Sequence, residues 1–331
     1  MSGQQLIREI GRSGVAASAV GLGTWAIGGW MWGGTDEKES IAAIQASLDA
    51  GVTLIDTAPA YGLGRSEEIV GKALSGRRDK AVIATKCGLV WHTQKGEHFF
   101  DQDGKPVHRY LGRDAILHEV ESSLTRLGTD YIDLYITHWQ DSTTPLEETL
   151  RALEELRASG KIRAIGASNV SRADLETYVA IGGLDAIQER FSMIDREIET
   201  DLVPLARANR IATLSYSSLA LGLLSGTIGP DRIFAGDDQR KDNSRFSVSN
   251  REKAAAFAAA IRPIAEKHGA SIAQTVIAWT LAQPGVTFAL CGARNANQAL
   301  DNARAGTIRL DKDDLSVVDA AISAKLTTMD R

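Results

Sequence analysis

Cysteine is scarce in this chain, and long apolar runs are missing. The 331 residues include two cysteines, Cys87 and Cys291, too few for a disulfide framework and without zinc-site spacing. His92, His98 and His108 do not fall at metal-ligand spacing either, so no metal is expected. No uninterrupted apolar stretch approaches the roughly 18–20 residues needed to span a bilayer. The N-terminal stretch from Met1 to Glu9 is too polar for the apolar segment of a secretion signal. A strong charge imbalance is lacking too. The net charge of -5 gives no electrostatic reason to expect nucleic acid or an anionic membrane as partner. A cytoplasmic, reducing setting is the simplest expectation. The glycine fingerprint of a dinucleotide-binding crossover is also incomplete, because Gly21-Leu22-Gly23 runs on as Thr24-Trp25-Ala26.

What is present is alternation. Residues 6–10 and 15–20 flank Gly11-Arg12-Ser13-Gly14 and predict a small hairpin. Short apolar runs then predict strands at 18–22, 52–55, 81–85, 131–136, 162–166, 186–188, 211–215 and 286–291. Amphipathic stretches between and after them predict helices at 37–50, 64–75, 112–127, 146–158, 171–180, 197–209, 251–268, 271–282, 295–304 and 311–324. Thr144 is a candidate cap for the 146–158 helix, whose first turn carries Glu147 and Glu148. Two polar stretches, 88–111 and 217–250, read as long loops inside the repeat and not as linkers, so residues 1–331 are expected to form one domain. Alternating strand–helix units imply a parallel sheet. Eight of them point to an α/β fold of the closed (β/α)8 barrel type, the TIM barrel, with a doubly wound sheet as competitor.

Three of these strands deliver an ionisable side chain. Leu54-Ile55 stops at Asp56, with Tyr61 in the following turn; 81–85 stops at Lys86; and 131–136 leads through Thr137 to His138. In a barrel all strand C-termini open on one rim, where active sites are built, so these four side chains are expected to converge. A phenol, with pKa near ~10, is a poor proton donor at neutral pH, and a neighbouring ammonium is expected to lower that value. Asp56 would hold the ammonium, and His138 would donate a second hydrogen bond to a carbonyl oxygen. Such a set can polarise a C=O bond and protonate it when a hydride arrives from elsewhere. Singly, each residue has an ordinary explanation: a barrel salt bridge for Asp56 and Lys86, packing for Tyr61 and His138. Together on neighbouring strand ends they argue for chemistry. Cys87, beside Lys86, reads as a small barrel residue and not as a redox thiol.

The segments Asp56-Thr57-Ala58-x-x-Tyr61-Gly62 with Ser66-Glu67, Thr85-Lys86, and Tyr131-Ile132-Asp133-Leu134-Tyr135 leading to His138-Trp139 resemble the signature of the aldo-keto reductases. The resemblance runs from Gly21-Leu22-Gly23-Thr24 to Cys291-Gly292-Ala293-Arg294. The block from Pro145 to Asn169 is most similar to bacterial general-stress and inositol-pathway members. The resemblance implies the same barrel, Tyr61 as general acid, Lys86 and Asp56 as its tuners, and His138 as the group orienting the substrate carbonyl. It also implies a nicotinamide as hydride source, lined by Gly23, Thr24, Trp25 and Asp56. Ser168, Asn169 and Gln188 match carboxamide-binding positions, and Tyr216 matches the aromatic that stacks on the ring. Ser217, Leu219, Gly222, Leu223 and Gly226 fall in a loop resembling a pyrophosphate cover. Gly292, Ala293, Arg294, Gln298 and Asn302 match the adenine end, with Arg294 placed to meet a 2′-phosphate. NADP(H) is therefore favoured. Asn295 and Ala296 stand where the family often has more positive charge, which leaves NAD(H) open.

Trp25, Trp30, Trp32, Trp91 and Trp139 follow strand ends and predict an aromatic wall suited to a flat or cyclic carbonyl compound or sugar. Trp279, inside a predicted helix, reads as core packing. The expected activity is reversible, NADPH-preferring hydride transfer between nicotinamide and a small carbonyl, alcohol or sugar partner, with the oligomeric state open. Two alternatives stand beside it. A Schiff-base aldolase would use Lys86 but leaves Ser168, Asn169, Gln188 and Arg294 without a role. A cofactor-binding regulatory subunit would need a partner, and no extra interaction segment is visible.

Overall fold

A computed structural model describes residues 4–329; the first three residues of the polar N-terminal stretch lie outside them. The chain opens with an antiparallel hairpin, β1 (Ile7–Glu9) and β2 (Ala16–Ser18). The barrel begins with β3 (Val20–Gly23), β4 (Leu54–Asp56) and β5 (Val82–Cys87). A three-stranded antiparallel sheet then intervenes: β6 (Leu89–Val90), β7 (Glu97–Gln102) and β8 (Lys105–Arg109). The barrel resumes with β9 (Ile132–Thr137), β10 (Ile162–Ser168), β11 (Ala186–Arg190), β12 (Ala212–Tyr216) and β13 (Phe288–Gly292). Its eight parallel strands close in the order β10-β11-β12-β13-β3-β4-β5-β9, which is the expected (β/α)8 architecture.

The helices are α1 (Glu37–Asp49), α2 (Arg65–Ala73), α3 (Arg113–Leu127), α4 (Leu146–Ala158), α5 (Arg172–Ile181), α6 (Leu202–Ala208), α7 (Val248–Lys267), α8 (Ile272–Ala282), α9 (Ala296–Ala305) and α10 (Lys312–Lys325). Among the described residues no helix is long and apolar enough to cross a membrane.

Strand alternation decides what fills the barrel. Leu54, Ala84, Leu134, Ile136, Ala164, Ala186, Ala212, Leu214, Phe288 and Leu290 pack together inside it, large residues facing small ones so that the interior is filled. The hairpin closes the lower end, where Ile10 and Ala17 join the same cluster. The residues between them, such as Ile55, Ile83, Tyr135, Ile165 and Ile187, point outward into the larger core beneath the helices. Trp279 is fully buried there and its indole N–H donates to Asp319 Oδ1 at 2.9 Å, as core packing requires.

Four local expectations are corrected. The stretch 88–111 is not a plain loop: Asp103 and Gly104 both have positive φ and join β7 to β8 as a two-residue turn, with Gln102 paired to Lys105. Asp-Gly between strand-forming segments is a strong hairpin signal, hidden here by the polar residues around it. Thr144 does not cap α4. Its hydroxyl donates to Asp141 Oδ2 at 2.6 Å, and Pro145 stands at the N-cap without a side-chain bond. The predicted 197–209 helix is broken, with a 3-10 turn at Glu197–Glu199 before α6. The stretch 217–250 contains 3-10 turns at Ala220–Ser225 and Ser244–Phe246, and α7 starts at Val248.

Candidate active site

The parity that fills the barrel also builds its rim. Two residues beyond the interior Leu54, Ala84, Ile136, Ala186 and Leu214 stand Asp56, Lys86, His138, Gln188 and Tyr216, all on the side of the sheet that faces the barrel axis. Asp56, Lys86 and Gln188 are buried and meet directly. Lys86 Nζ donates to Asp56 Oδ1 at 2.8 Å, with Oδ2 at 3.0 Å, to the Thr57 carbonyl at 2.8 Å, and to the Tyr61 hydroxyl oxygen at 3.2 Å. Gln188 Nε2 donates to Asp56 Oδ2 at 2.7 Å. An ammonium has three N–H groups, and these three partners use all of them. Because the Tyr61 oxygen accepts from Lys86, its own proton must point elsewhere. The His138 ring stands edge-on to it with centroids 5.7 Å apart.

Tyr61 is held there by a close backbone approach. A Cβ at Gly28 would lie 2.6 Å from the Tyr61 carbonyl carbon, and one at Gly62 would lie 2.4 Å from Gly28 O. Only glycines allow the loop after β3 to press against the turn after β4.

The electrostatics correct one expectation. Lys86 does not leave Tyr61 with a lowered pKa; burial, followed by the charge of Asp56, pushes the phenol well above its ordinary value. Asp56 neutralises most of the ammonium's field, so desolvation wins. Burial likewise draws Lys86 below the usual lysine range, against the pull of Asp56. Burial and the neighbouring Lys86 charge hold His138 well below the usual histidine value. At neutral pH the site therefore presents a protonated phenol and a neutral imidazole. Cys87 is buried with its thiol pushed well up, as a packing residue and not a reactive one.

Ser168, Asn169, Gln188 and Tyr216 come together as expected, but they bond to one another. Ser168 Oγ donates to Gln188 O at 2.7 Å; Asn169 Nδ2 donates to His138 O at 2.9 Å; and the Tyr216 hydroxyl donates to Asn169 Oδ1 at 2.7 Å. Asn169 has a positive φ of 55°, a conformation asparagine tolerates better than most residues. Glu189, on the outer side of β11, fastens the next peptide by accepting from Val170 N at 3.0 Å.

Burial pushes the Glu189 carboxyl up to about 8. A folded value above the unfolded one means a stabilisation that is complete below the unfolded value, near ~4.3, and lost as pH rises through 8. Glu189→Gln keeps an acceptor but cannot ionise. Its urea midpoint relative to wild type is expected to climb from pH 5 to pH 9; parallel midpoints would show that Glu189 does not titrate there.

The long loops meet over the β3–β13 side. Met31 N and Gly33 N donate to the Asp237 carboxylate at 3.0 and 2.8 Å, and Gln239 N donates to Met31 O at 3.0 Å. Arg240 lies 5.1 Å from the Trp32 ring, and Arg294 Nη1 donates to Trp32 O at 3.1 Å. No local sequence pattern marks this clasp, which joins Met31 and Gly33 to Asp237, 206 residues beyond Met31. Beneath it, Gly23 and Gly292 are register partners, and a Cβ on either would meet nothing closer than 3.9 Å. Ser217, Ala220, Leu221 and Gly222 have positive φ, a backbone form that gathers N–H groups around anions. Open space, anion-cradling backbone and Arg294 fit an elongated phosphate-bearing cofactor. Thr24 is less available than expected, since its hydroxyl donates to Asp56 O at 2.9 Å. Asn302 Nδ2 donates to Gly292 O at 3.0 Å, and Gln298 Oε1 accepts from Arg294 N at 2.9 Å, so both shape the turn after β13.

Aromatic residues line the mouth. Trp25 stacks toward Tyr61 with centroids 6.3 Å apart and meets Trp32 edge-on at 5.5 Å. Phe99 on β7 faces Trp139 at 5.2 Å, and Phe100 stacks on Trp30 at 5.2 Å. Trp91 packs with Ala60, Leu89 and Val107, joining the extra sheet to the Tyr61 turn. Phe99 and Phe100 stand on the β7 strand, where the sequence suggests a loop of mixed polar and aromatic residues.

A closed barrel with a phenol, an ammonium–carboxylate pair and an imidazole at its mouth defines a class of carbonyl-reducing oxidoreductase. The aldo/keto reductase family model matches residues 19–323, and the chain belongs to that family. It is 45% identical over 293 residues to the aldo-keto reductase YhdN of Bacillus subtilis, covering 88% of this chain and 85% of that protein. It is 39% identical over 315 residues to the NADH-specific methylglyoxal reductase of Escherichia coli, covering 93% and 96%. Among solved structures, the glycerol dehydrogenase AKR11B4 of Gluconobacter oxydans superposes with a TM-score of 0.86 at 38% identity, covering 98% and 97%. The protein is thus an NAD(P)H-dependent oxidoreductase acting on small carbonyl or alcohol compounds. The aldolase and regulatory-subunit alternatives are not supported.

Proposed function

We propose that Tyr61 is the general acid of this reductase, with Lys86 and Asp56 tuning it and His138 orienting the substrate carbonyl. The observation that carries this reading is the Lys86 hydrogen-bond set, which donates into the phenol oxygen and leaves the phenol proton free. When bound, the nicotinamide supplies the hydride for the carbonyl carbon. Tyr61 protonates the developing alkoxide, and Lys86 stabilises the phenolate that remains. His138, neutral at working pH, contributes a ring N–H to the same oxygen. Asn169, Ser168 and Gln188 offer the carboxamide its donors and acceptors, and Tyr216 carries the ring. In the reverse direction the same phenol, deprotonated, takes the proton of an alcohol.

The substrate is a small aldehyde, ketone or sugar seated against Trp25, Trp32, Trp91 and Trp139. The related methylglyoxal reductase and glycerol dehydrogenase act on short carbonyl and polyol compounds, by their names, which places such compounds first in a screen. Residues 1–331 act as one domain, since no linker interrupts the strand–helix repeat. A cytoplasmic setting suits two buried, unpaired thiols.

NADPH is the preferred cofactor, because Arg294 stands at the turn after β13 where a 2′-phosphate would arrive. Titration of the tryptophan fluorescence with NADPH and NADH tests this directly. Tighter quenching by NADPH is expected, and absence of quenching by both would remove the reading. Arg294→Ala should weaken NADPH about tenfold, the worth of one charge-assisted contact, while moving NADH much less. An equal effect on both would detach Arg294 from the 2′-phosphate.

A further inference from the structure

The ends of β9 and β10 carry different tasks. His138 follows β9 and stands edge-on to Tyr61, with centroids 5.7 Å apart. Ser168 ends β10 and Asn169 follows it, in the segment given above to the nicotinamide carboxamide. Hydride transfer needs these two segments at a fixed separation, because the reacting atoms must stand about 3–3.5 Å apart and aligned. The backbone ladder does not reach that far. The last register pair between the two strands is Thr137 with Ala167. Beyond it the peptide groups diverge: His138 N donates to Cys87 O on β5 at 2.8 Å, and Asn169 N donates to Gln188 O on β11 at 3.3 Å.

Two side-chain amides bridge the gap, one from each strand. Asn169 Nδ2 donates to His138 O at 2.9 Å, and Gln140 Nε2 donates to Ser168 O at 3.0 Å. Gln140 lies two residues beyond His138 and outside the strand. Its amide also donates to Thr137 Oγ1 at 3.3 Å, and its carbonyl oxygen accepts from the Tyr178 hydroxyl at 2.9 Å. The orientation of this amide is fixed, since turning it over would set two acceptors, Gln140 Oε1 and the Ser168 carbonyl, against each other. Tyr178 is fully buried on α5. The bonds running from α5 through Gln140 to Ser168 therefore tie the carboxamide segment to the scaffold as well as to the neighbouring strand end.

We propose that Gln140 is a positioning residue for hydride transfer, setting the separation between the Ser168–Asn169 segment and the carbonyl held at His138. It acts through Ser168 and takes no part in the chemistry. The proposal rests on the reading that seats the nicotinamide at Ser168 and Asn169 and the carbonyl at His138. Its weight falls on the rate more than on the fold, because a misplacement of about 1 Å can cost about a hundredfold in turnover.

Gln140→Met keeps the reach of the side chain and removes the amide. Gln140→Glu keeps an acceptor for Tyr178 and removes the donor to Ser168. Turnover is measured with methylglyoxal or glyceraldehyde, whichever the wild type reduces faster, and with the tighter-binding of NADPH and NADH. In both variants kcat is expected to fall about tenfold, while cofactor affinity, read by tryptophan quenching, and the urea midpoint stay near wild type. Deuterium at the transferred position of the cofactor separates geometry from release: the isotope effect on kcat should be at least as large as in the wild type. A kcat within twofold of wild type in both variants would overturn the proposal. So would a fall with a smaller isotope effect, which belongs to product release, or a fall matched by equal losses of cofactor affinity or stability, which makes Gln140 a structural support. If the wild type binds cofactor but reduces neither aldehyde, the reductase reading is what fails. Gln140 is then judged by the fluorescence anisotropy of the bound reduced nicotinamide: a lower value in Gln140→Met sustains its hold on the ring, and equal values end it. A wild type that binds neither NADPH nor NADH removes both readings, since no nicotinamide is then there to place.

Discussion

Replacing Tyr61 with phenylalanine is expected to lower kcat for carbonyl reduction by about 10²–10⁴, the usual worth of a positioned general acid, while NADPH still quenches the tryptophans. The ring keeps its place against Trp25 and His138, so the variant removes a proton and an acceptor and little packing. Lys86 loses its third partner but retains Asp56 and the Thr57 carbonyl. Burial holds the Tyr61 pKa well above its ordinary value, so the acid is fully loaded at neutral pH. The reduction rate of the wild type should therefore stay flat through neutrality and fall only on the alkaline side. A variant within tenfold of wild type would leave protonation to His138 or to solvent. Loss of cofactor binding together with turnover would instead make Tyr61 a structural support for the loop after β3.

A raised phenol pKa looks at first unsuited to an acid catalyst. The sequence suggests the opposite shift, because Lys86 is visible as a neighbour while the depth of the site is not. Asp56 is visible too, but its effect depends on geometry: it pairs closely with the same ammonium and cancels much of the field. The pair then stabilises phenolate chiefly when the proton leaves, as a developing negative charge meets an N–H already aimed at it. Pre-orientation of this kind acts on the transition state more than on the resting phenol.

Much of this site was legible because one periodicity writes both core and rim. Leu54 and Asp56, Ala84 and Lys86, and Ile136 and His138 are each two residues apart, and the eye follows the apolar run to its polar end. Arg190 obeys the same rule through Ala186 and Gln188, but it lies beyond the short apolar run that marks this strand in the sequence, while β11 extends to it. The extra sheet is hidden in the sequence for a related reason. Asp103-Gly104 is a hairpin signal, but Glu97-His98-Phe99-Phe100-Asp101-Gln102 mixes charge with aromatics and does not alternate cleanly, and β7 carries an irregularity between His98 and Phe100. The clasp between Asp237 and the Met31–Gly33 backbone was beyond reach of any local pattern. It depends on two loops brought together only by barrel closure, and its donors are peptide groups that carry no side-chain signature.

Lys86→Met is expected to have the largest combined effect, abolishing most reduction and destabilising the fold by about 3–5 kcal/mol, the range for stripping one partner from a buried pair. The lysine side chain is wholly buried and that of Asp56 nearly so. Without the ammonium, the Asp56 carboxylate keeps only the Gln188 amide at 2.7 Å, and the Thr57 carbonyl and Tyr61 oxygen lose a common donor. The companion variant Asp56→Asn/Lys86→Met separates the two consequences. With the charge removed from both positions, much of the lost stability should return in a urea titration, because an uncharged pair of similar volume needs no compensating ion. Activity should not return, since nothing then stabilises phenolate at Tyr61. Restored turnover in the double variant would mean that Lys86 serves only to neutralise Asp56. Stability that stays low in both would mean that the ammonium's bond to the Thr57 carbonyl, at 2.8 Å, is what anchors the Tyr61 turn.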